Sequence, residues 1–262
     1  MPSRAIWSGS ISFGLVNVPV KVVTATRSKD VKFNMLHAKD GGRIQQKRVC
    51  AVDNEEVPWE EIAKGYPLNG DEYVMITDEE MKALAPEKSD TIDIVDFVDL
   101  HEIDPILYEK TYYLVPQKGA AKAYRLLVEA MTRTSRVAVA RVVMREKEHL
   151  VTLRPIGDAL AMETMLYHDE VVPIAEIEEI PRDVKVGEKE LAMAEQLVGA
   201  LAGAFHPDKY RDEHRERVLK LIEAKAEGKT ISAPPRKAEK APADLVEALK
   251  ASLAAAKQKA GA

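Results

Sequence analysis

Residues 4–26, RAIWSGSISFGLVNVPVKVVTAT, set Ile11, Phe13 and Leu15, then Val18, Val20 and Val22, in alternation with smaller or polar neighbours. A period of two marks a half-buried strand, and the break at Asn17 and Pro19 predicts one long strand with a mid-course bend. Alternation returns in residues 31–37 through Val31, Phe33 and Met35. Asp40-Gly41-Gly42 reads as a turn and 43–49 as the returning partner, so a projecting hairpin is expected here. Thr77-Asp-Glu-Glu80 is a capping box that opens a short helix, which Pro86 stops. Residues 92–100 are rich in β-branched side chains and 111–115 form another strand. The period then lengthens: Tyr124, Leu127, Val128 and Met131 lie on one face of a helix over 119–131. Residues 136–144 and 150–153 form a second hairpin across Glu146-Lys147-Glu148. The two hairpins in a β-rich body predict a partly closed barrel with arms.

From Gly187 the pattern becomes helical. Leu191, Ala194, Val198, Leu201 and Phe205 follow a heptad-like spacing, and Pro207 closes the segment. Asp208 is read as the cap of a further helix over 210–226 with Val218, Leu221 and Ile222 in a stripe and Gly228 as its stop. Residues 232–243, SAPPRKAEKAPA, have the composition of a linker. Asp244 then caps an Ala-rich helix with Leu245, Leu249 and Leu253 in line. These changes of period divide the chain into 1–186, a β-rich core, 187–230, a helical region, and 231–262, linker and tail.

Charge sharpens the picture more than composition does. The 262 residues carry a formal net charge of -5, which by itself argues against nucleic acid. Its distribution reverses that inference: residues 21–48 hold eight Lys or Arg against two acids, and 118–154 hold nine against three, each net +6. Between them 55–104 holds sixteen acids against three lysines, net -13. Such segregation fits one surface that attracts a polyanion and another that repels it. The first basic stretch supplies Lys29, Lys32, Lys39, Arg43, Lys47 and Arg48 as candidate phosphate contacts, and the second supplies Arg141, Arg145 and Lys147. Arg154 adds to the second hairpin's charge.

Catalytic chemistry has little to stand on. No Gly-rich phosphate loop, metal-binding His pair on a helix or nucleophile elbow is present, and the six histidines are scattered, so no catalytic residue, metal ligand or cofactor is assigned. Asp93, Asp96 and Asp99 invite a check as a metal site. In a regular strand Asp93 and Asp99 point one way and Asp96 the other, so a solvated acidic edge that discourages aggregation is the stronger expectation. Cys50 is the single cysteine. It forms no internal disulfide or thiolate zinc cluster within one chain and is expected as a half-buried strand residue. No run approaches the roughly eighteen apolar residues of a membrane span, and 1–26 lacks a signal-peptide core, so a cytoplasmic protein without membrane contact is expected.

Several motifs stand together in order: ISFGLVNVPVK behind Ala-Ile-Trp, RIQQKRVC (43–50), EEVPWEEIAKGY (55–66), IDIVDFVDLHEIDPI (92–106), YEKTYYLVP (108–116), REKEHL (145–150), LRPIGDALAMETM (153–165), and PDKYRDEHRE (207–216) followed by LIEAKAEGK (221–229). This series resembles the bacterial Ku family, the DNA-end-binding proteins of non-homologous end joining, across most of residues 4–229. The resemblance implies a mixed, β-rich fold: a Ku-type β-barrel core with projecting basic arms forming a homodimeric ring, then a small helical C-terminal region. It implies a non-enzymatic protein that encircles double-stranded DNA ends, reads no bases, and recruits the multifunctional ATP-dependent end-joining ligase through 187–230. For the ligase contact the candidates are Tyr210, Arg211 and Arg215. Two features depart from the family pattern. Ser8 stands where many relatives carry a basic residue, and the tail, 232–262, is short, with six Lys or Arg against three acids. The rival readings are a metal-dependent nuclease or hydrolase using the acidic 90–104 segment and a structural adaptor without DNA contact.

Overall fold

A computed structural model describes residues 4–68, 72–84, 89–228 and 245–260. Nine strands and five α-helices are present among them. The expected single bent strand is instead two: β1 (Trp7–Phe13) and β2 (Val16–Thr24) pair antiparallel, with Phe13 opposite Val16. The reversal falls at Gly14, whose φ of 57° suits glycine, and at Leu15, which is fully exposed. Its trace in the sequence is a parity slip: the inward positions are odd up to Phe13 and even from Val18 onward. Asn17 and Pro19 lie inside β2 and do not bend the chain.

Seven strands close into a barrel in the order β1, β2, β6 (Tyr108–Pro116), β9 (Ala159–Met165), β8 (Lys147–Ile156), β7 (Arg136–Met144) and β5 (Thr91–Asp99), which returns to β1. The closing seam is parallel and short, Ser10, Ile11 and Ser12 against Thr91, Ile92 and Asp93. Trp7 on β1 adds a tie across it, donating from Nε1 to the Val143 carbonyl at 3.1 Å. The barrel is therefore fully closed, and β5 is an inner strand with partners on both sides, contrary to the expected acidic edge. A bulge between Ile94 and Asp96 also resets its faces. Asp93 and Asp96 now share a face with Arg141 and Val139, while Asp99 sits opposite Arg136 on the other face.

Helix α2 (Ala121–Thr134) packs one face on the barrel core as its periodicity predicts: Tyr124, Leu127, Val128 and Met131 are buried with Ile11, Val20, Leu114, Leu153, Leu160 and Met162. Burial of such side chains stabilises by roughly 1.5–3 kcal/mol each. The Tyr124 hydroxyl donates to the Leu114 carbonyl and accepts from the Leu160 N–H, both at 2.7 Å, which ties β6 to β9 through the helix. Burial pushes this phenol above its ordinary pKa, with the Leu160 N–H opposing. Arg125 clasps the other side, reaching Asp158 in the β8–β9 turn at 2.6 Å and Glu129 at 2.9 Å. Ser135 ends α2 in the left-handed conformation.

The hairpin expected over 31–49 does not form a ladder. Leu36 and Arg43 make one isolated bridge around the Asp40-Gly41-Gly42 turn, and Val49 pairs singly with Glu56. A two-stranded sheet, β3 (Lys64–Pro67) with β4 (Tyr73–Ile76), precedes α1 (Asp78–Ala83), whose capping box between Thr77 and Glu80 forms as read. Pro86 lies outside the described residues.

By contact density the chain divides into two compact units, residues 1–28 with 34–174, and 29–33 with 175–262. In the second, α3 (Glu188–Leu201) packs on α5 (Leu245–Ala260). The half-buried apolar residues of α3 are Met193, Ala194 and Leu197, whereas Leu191, Val198 and Leu201 of the expected stripe are exposed. Helix α4 (Glu213–Ala226) is capped by Asp212, which accepts from Arg215 N–H, and not by Asp208. Pro207, Asp208 and Lys209 form a separate one-turn helix. Gly228, with φ of 72°, follows α4. The linker read over 232–243 and the Asp244 cap lie outside the described residues.

Candidate nucleic-acid interface

The first basic stretch is built from turns. His37 N–H donates to the Gly42 carbonyl and Gly41 N–H to that of His37, while Asp40 accepts from the Gly42 amide at 2.9 Å and faces His37 Nδ1 at 3.0 Å. The Gly42 N–H, and then His37, hold the Asp40 carboxyl below its usual range. This tight Asx-type turn leaves Lys39 and Arg43 exposed on either side, neither in an ion pair among the described residues. Lys29 and Lys32 are exposed too, and belong to the second compact unit.

A second knuckle follows over residues 47–59. Val57 N–H donates to Arg48 O and Cys50 N–H to Glu55 O, each at 2.9 Å, and Asn54 turns the chain at φ 59°. Cys50 is half-buried as expected, in this turn and not in a strand. The knuckle separates two neighbouring cations. Lys47 is bound to Glu56 at 2.6 Å, so part of its charge is answered within the chain. Arg48 instead lies over the Trp59 ring, 4.4 Å from its centroid.

The second basic stretch is a hairpin of the barrel wall and not a projecting arm. Its turn is Arg145-Glu146, with Met144 opposite Lys147, one to two residues earlier than the sequence reading. Both turn residues have positive φ, 52° and 67°, as a two-residue hairpin with the favoured twist demands. Neither is glycine or asparagine, so the turn carries strain. Arg141 is exposed on β7, 3.8 Å from Glu148. Arg145 and Lys147 make no ion pair among the described residues and rim a cavity of about 270 Å³ with Lys110, His149, Trp7 and Tyr112. Burial, and then Lys147, hold the His149 imidazole below its ordinary pKa. Arg154, counted with this hairpin's charge, is turned to structure: it binds the buried Glu163 at 2.8 Å, and Glu163 also accepts from Thr152.

In the acidic 90–104 segment Asp99, Glu102 and Asp104 accept from backbone N–H groups. Asp99 and Asp104 cap one-turn helices and Asp93 accepts from the Thr91 hydroxyl at 2.7 Å. Among the described residues no three or more His, Cys, Asp or Glu are grouped to hold a metal ion. No helix among them is long and apolar enough to cross a membrane. In the C-terminal unit Tyr210 stacks on Phe205 at 5.6 Å, ahead of α4 and not within it. Arg211 is exposed beside it and Arg215 is half-buried in the first turn of α4.

Sequence reasoning singled out the cations but missed what answers them: Glu56, Glu148 and Glu163. Each lies across a turn or strand pair from its partner, a relation visible only once register is known. Trp59 was missed as well, although an exposed tryptophan after Pro58 in an acidic stretch is an unusual use of that side chain.

A closed seven-stranded barrel with one amphipathic helix packed on its core, carrying on its hairpin tip and on a long inserted segment cations in no ion pair among the described residues, defines a class of β-barrel protein that presents positive charge from an acidic chain. The family model for the Ku70/Ku80 beta-barrel domain matches residues 12–193. Relatives each named non-homologous end joining protein Ku align along almost the whole chain. That of Anaeromyxobacter sp. (strain K) is 50% identical over 98% of this chain and 87% of its own. Those of Heliobacterium modesticaldum, 46% identical over 95% of this chain and 91% of its own, and Desulfitobacterium hafniense, 45% over 98% and 89%, are similar. This chain belongs to the Ku family.

Proposed function

We propose that the chain binds double-stranded DNA ends in non-homologous end joining, as a homodimeric ring that contacts phosphates without reading sequence and that recruits the end-joining ligase. The observation that carries this reading is the near full-length similarity to proteins named for that process. Charge placement supports it. Lys29, Lys32, Lys39, Arg43, Lys47, Arg48, Arg141, Arg145 and Lys147 are all exposed. Within this set Lys29, Lys32, Lys39, Arg43, Arg48, Arg145 and Lys147 are in no ion pair among the described residues and are the first choices for phosphate contact, whereas Lys47 and Arg141 face a carboxylate. A ring explains preference for ends by threading. For the ligase, the exposed Phe205–Tyr210 stack with Arg211 offers an aromatic and cationic patch, the composition of interface anchors. The core is assigned to 1–186, the ligase-recruiting region to 187–230 and linker with tail to 231–262.

The deciding experiment compares binding to linear and covalently closed circular duplexes of one sequence at low salt, beside the solution mass. Tight binding confined to the linear form, by a dimer, is the expected result. Equal affinity for both forms, or a monomer at micromolar concentration, removes the ring.

A further inference from the structure

Arg48 and Trp59 are joined by more than proximity. Pro58, with φ of -59°, fixes the approach to Trp59, which opens a one-turn helix closed by the Ile62 N–H to the Trp59 carbonyl at 3.2 Å. On the other side, the Val57 N–H to Arg48 carbonyl bond and the Val49–Glu56 bridge hold the backbone of Arg48 against the same segment. Both ends of the cation–π contact are therefore anchored by backbone, eleven positions apart in the chain. The ring is 66% exposed, so it does not pay its way as core. Lys47 takes Glu56, the carboxylate at the isolated Val49–Glu56 bridge, and leaves the Arg48 guanidinium without an ion pair among the described residues. An arginine's long side chain loses rotamer freedom when it grips a phosphate, and a ring that fixes it beforehand removes part of that cost.

We propose that Trp59 is a positioning residue for DNA binding: its indole holds the Arg48 guanidinium in one orientation, ready for a backbone phosphate. This rests on the reading of Arg48 as a phosphate contact. Arg43 serves as the contrast, an exposed cation of the same stretch with no aromatic partner among the described residues.

The test measures affinity for a short blunt-ended linear duplex by fluorescence anisotropy at stepped salt, using the full chain. Trp59→Ala is expected to weaken binding about three- to fivefold, the loss of an exposed cation–π contact. The slope of log affinity against log salt stays unchanged, since no charge is removed. Arg48→Ala weakens binding more and lowers the slope by about one. Trp59→Phe restores most of the loss. In an Arg48→Ala background, Trp59→Ala adds nothing, whereas a general structural role would still be felt. Additive losses overturn the proposal, because the indole then acts without Arg48. So does an Arg48→Ala variant that binds as tightly as the parent, and that result identifies the phosphate reading, and not the stacking, as the fault. Far-ultraviolet circular dichroism and the thermal midpoint are expected to be unchanged in Trp59→Ala, which keeps a binding loss attributable to orientation.

Discussion

The β7–β8 hairpin and the segment over 34–68 both present candidate phosphate-binding cations and are held by different physics. The hairpin is locked on both sides: β7 pairs with β5 and β8 with β9 along their lengths, and the inward residues Ala138, Ala140, Val142, Val151 and Leu153 are buried. The segment has two isolated bridges and a few turns, and Phe33, Met35, Leu36, Ile44 and Val52 around it are exposed. Cations on the hairpin are placed by the core. Cations on the segment are placed by Asp40, by the knuckle at 47–57 and by Trp59. Positive charge on a sequence therefore says where a polyanion is attracted, and burial decides how rigidly the charge is presented.

The largest way to break this contrast is to damage the core. Leu153→Ala is expected to cost about 2–5 kcal/mol in denaturant unfolding, since the side chain is fully buried in the barrel. A loss near zero would mean that the hairpin is not held by the core. Tyr124→Phe comes next, at about 1–3 kcal/mol, because it leaves the Leu114 carbonyl and the Leu160 N–H without their buried partner. Replacing the strained turn, Arg145→Asn with Glu146→Gly, is expected to raise stability by about 1 kcal/mol while weakening DNA binding and flattening its salt dependence. Opposite signs in the two measurements would separate the hairpin's structural demand from its use.

A smaller effect is tied to pH. The folded state holds His149 below its ordinary value of 6.5, so below that pH the unfolded chain binds the proton more readily. Stability is thus fully present above pH 6.5 and falls as pH drops through the folded value. His149→Gln is expected to flatten this loss in the range above carboxylate titration, read from denaturant midpoints at stepped pH; an unaltered profile would remove His149 as its source. Smallest for stability is Arg43→Glu with Arg48→Glu. The thermal midpoint is expected to stay put while affinity falls for every DNA sequence; unchanged binding would take the 34–68 segment out of the interface.

Elements whose side chains alone decide their state were legible in the sequence. The buried face of α2 and the capping box of α1 are local patterns, and both form as read. Where pairing decides, the reading slipped. Residues 4–26 look like one strand because a two-residue turn at Gly14-Leu15 leaves only a change of parity. Residues 31–37 alternate as a strand does, yet no long ladder receives them. The heptad of α3 was correct as a pattern, but α5 packs where Met193, Ala194 and Leu197 become the half-buried set. Charge runs were readable, and their internal answers, Glu56, Glu148 and Glu163, were not, because each is a neighbour by register.

The short parallel seam has a consequence for how freely this chain can vary. Strand β1 lies between β2 and β5, so the polypeptide leaves the wall after Thr24 and rejoins it at Thr91 only two strands over and about five residues along. That gap is about 20 Å. Everything between is an insert pinned at both ends to a completed cylinder, and doubling the length of a flexible insert costs only about 0.6 kcal/mol. Such an arrangement makes the length of the intervening residues a small term in the stability of the cylinder.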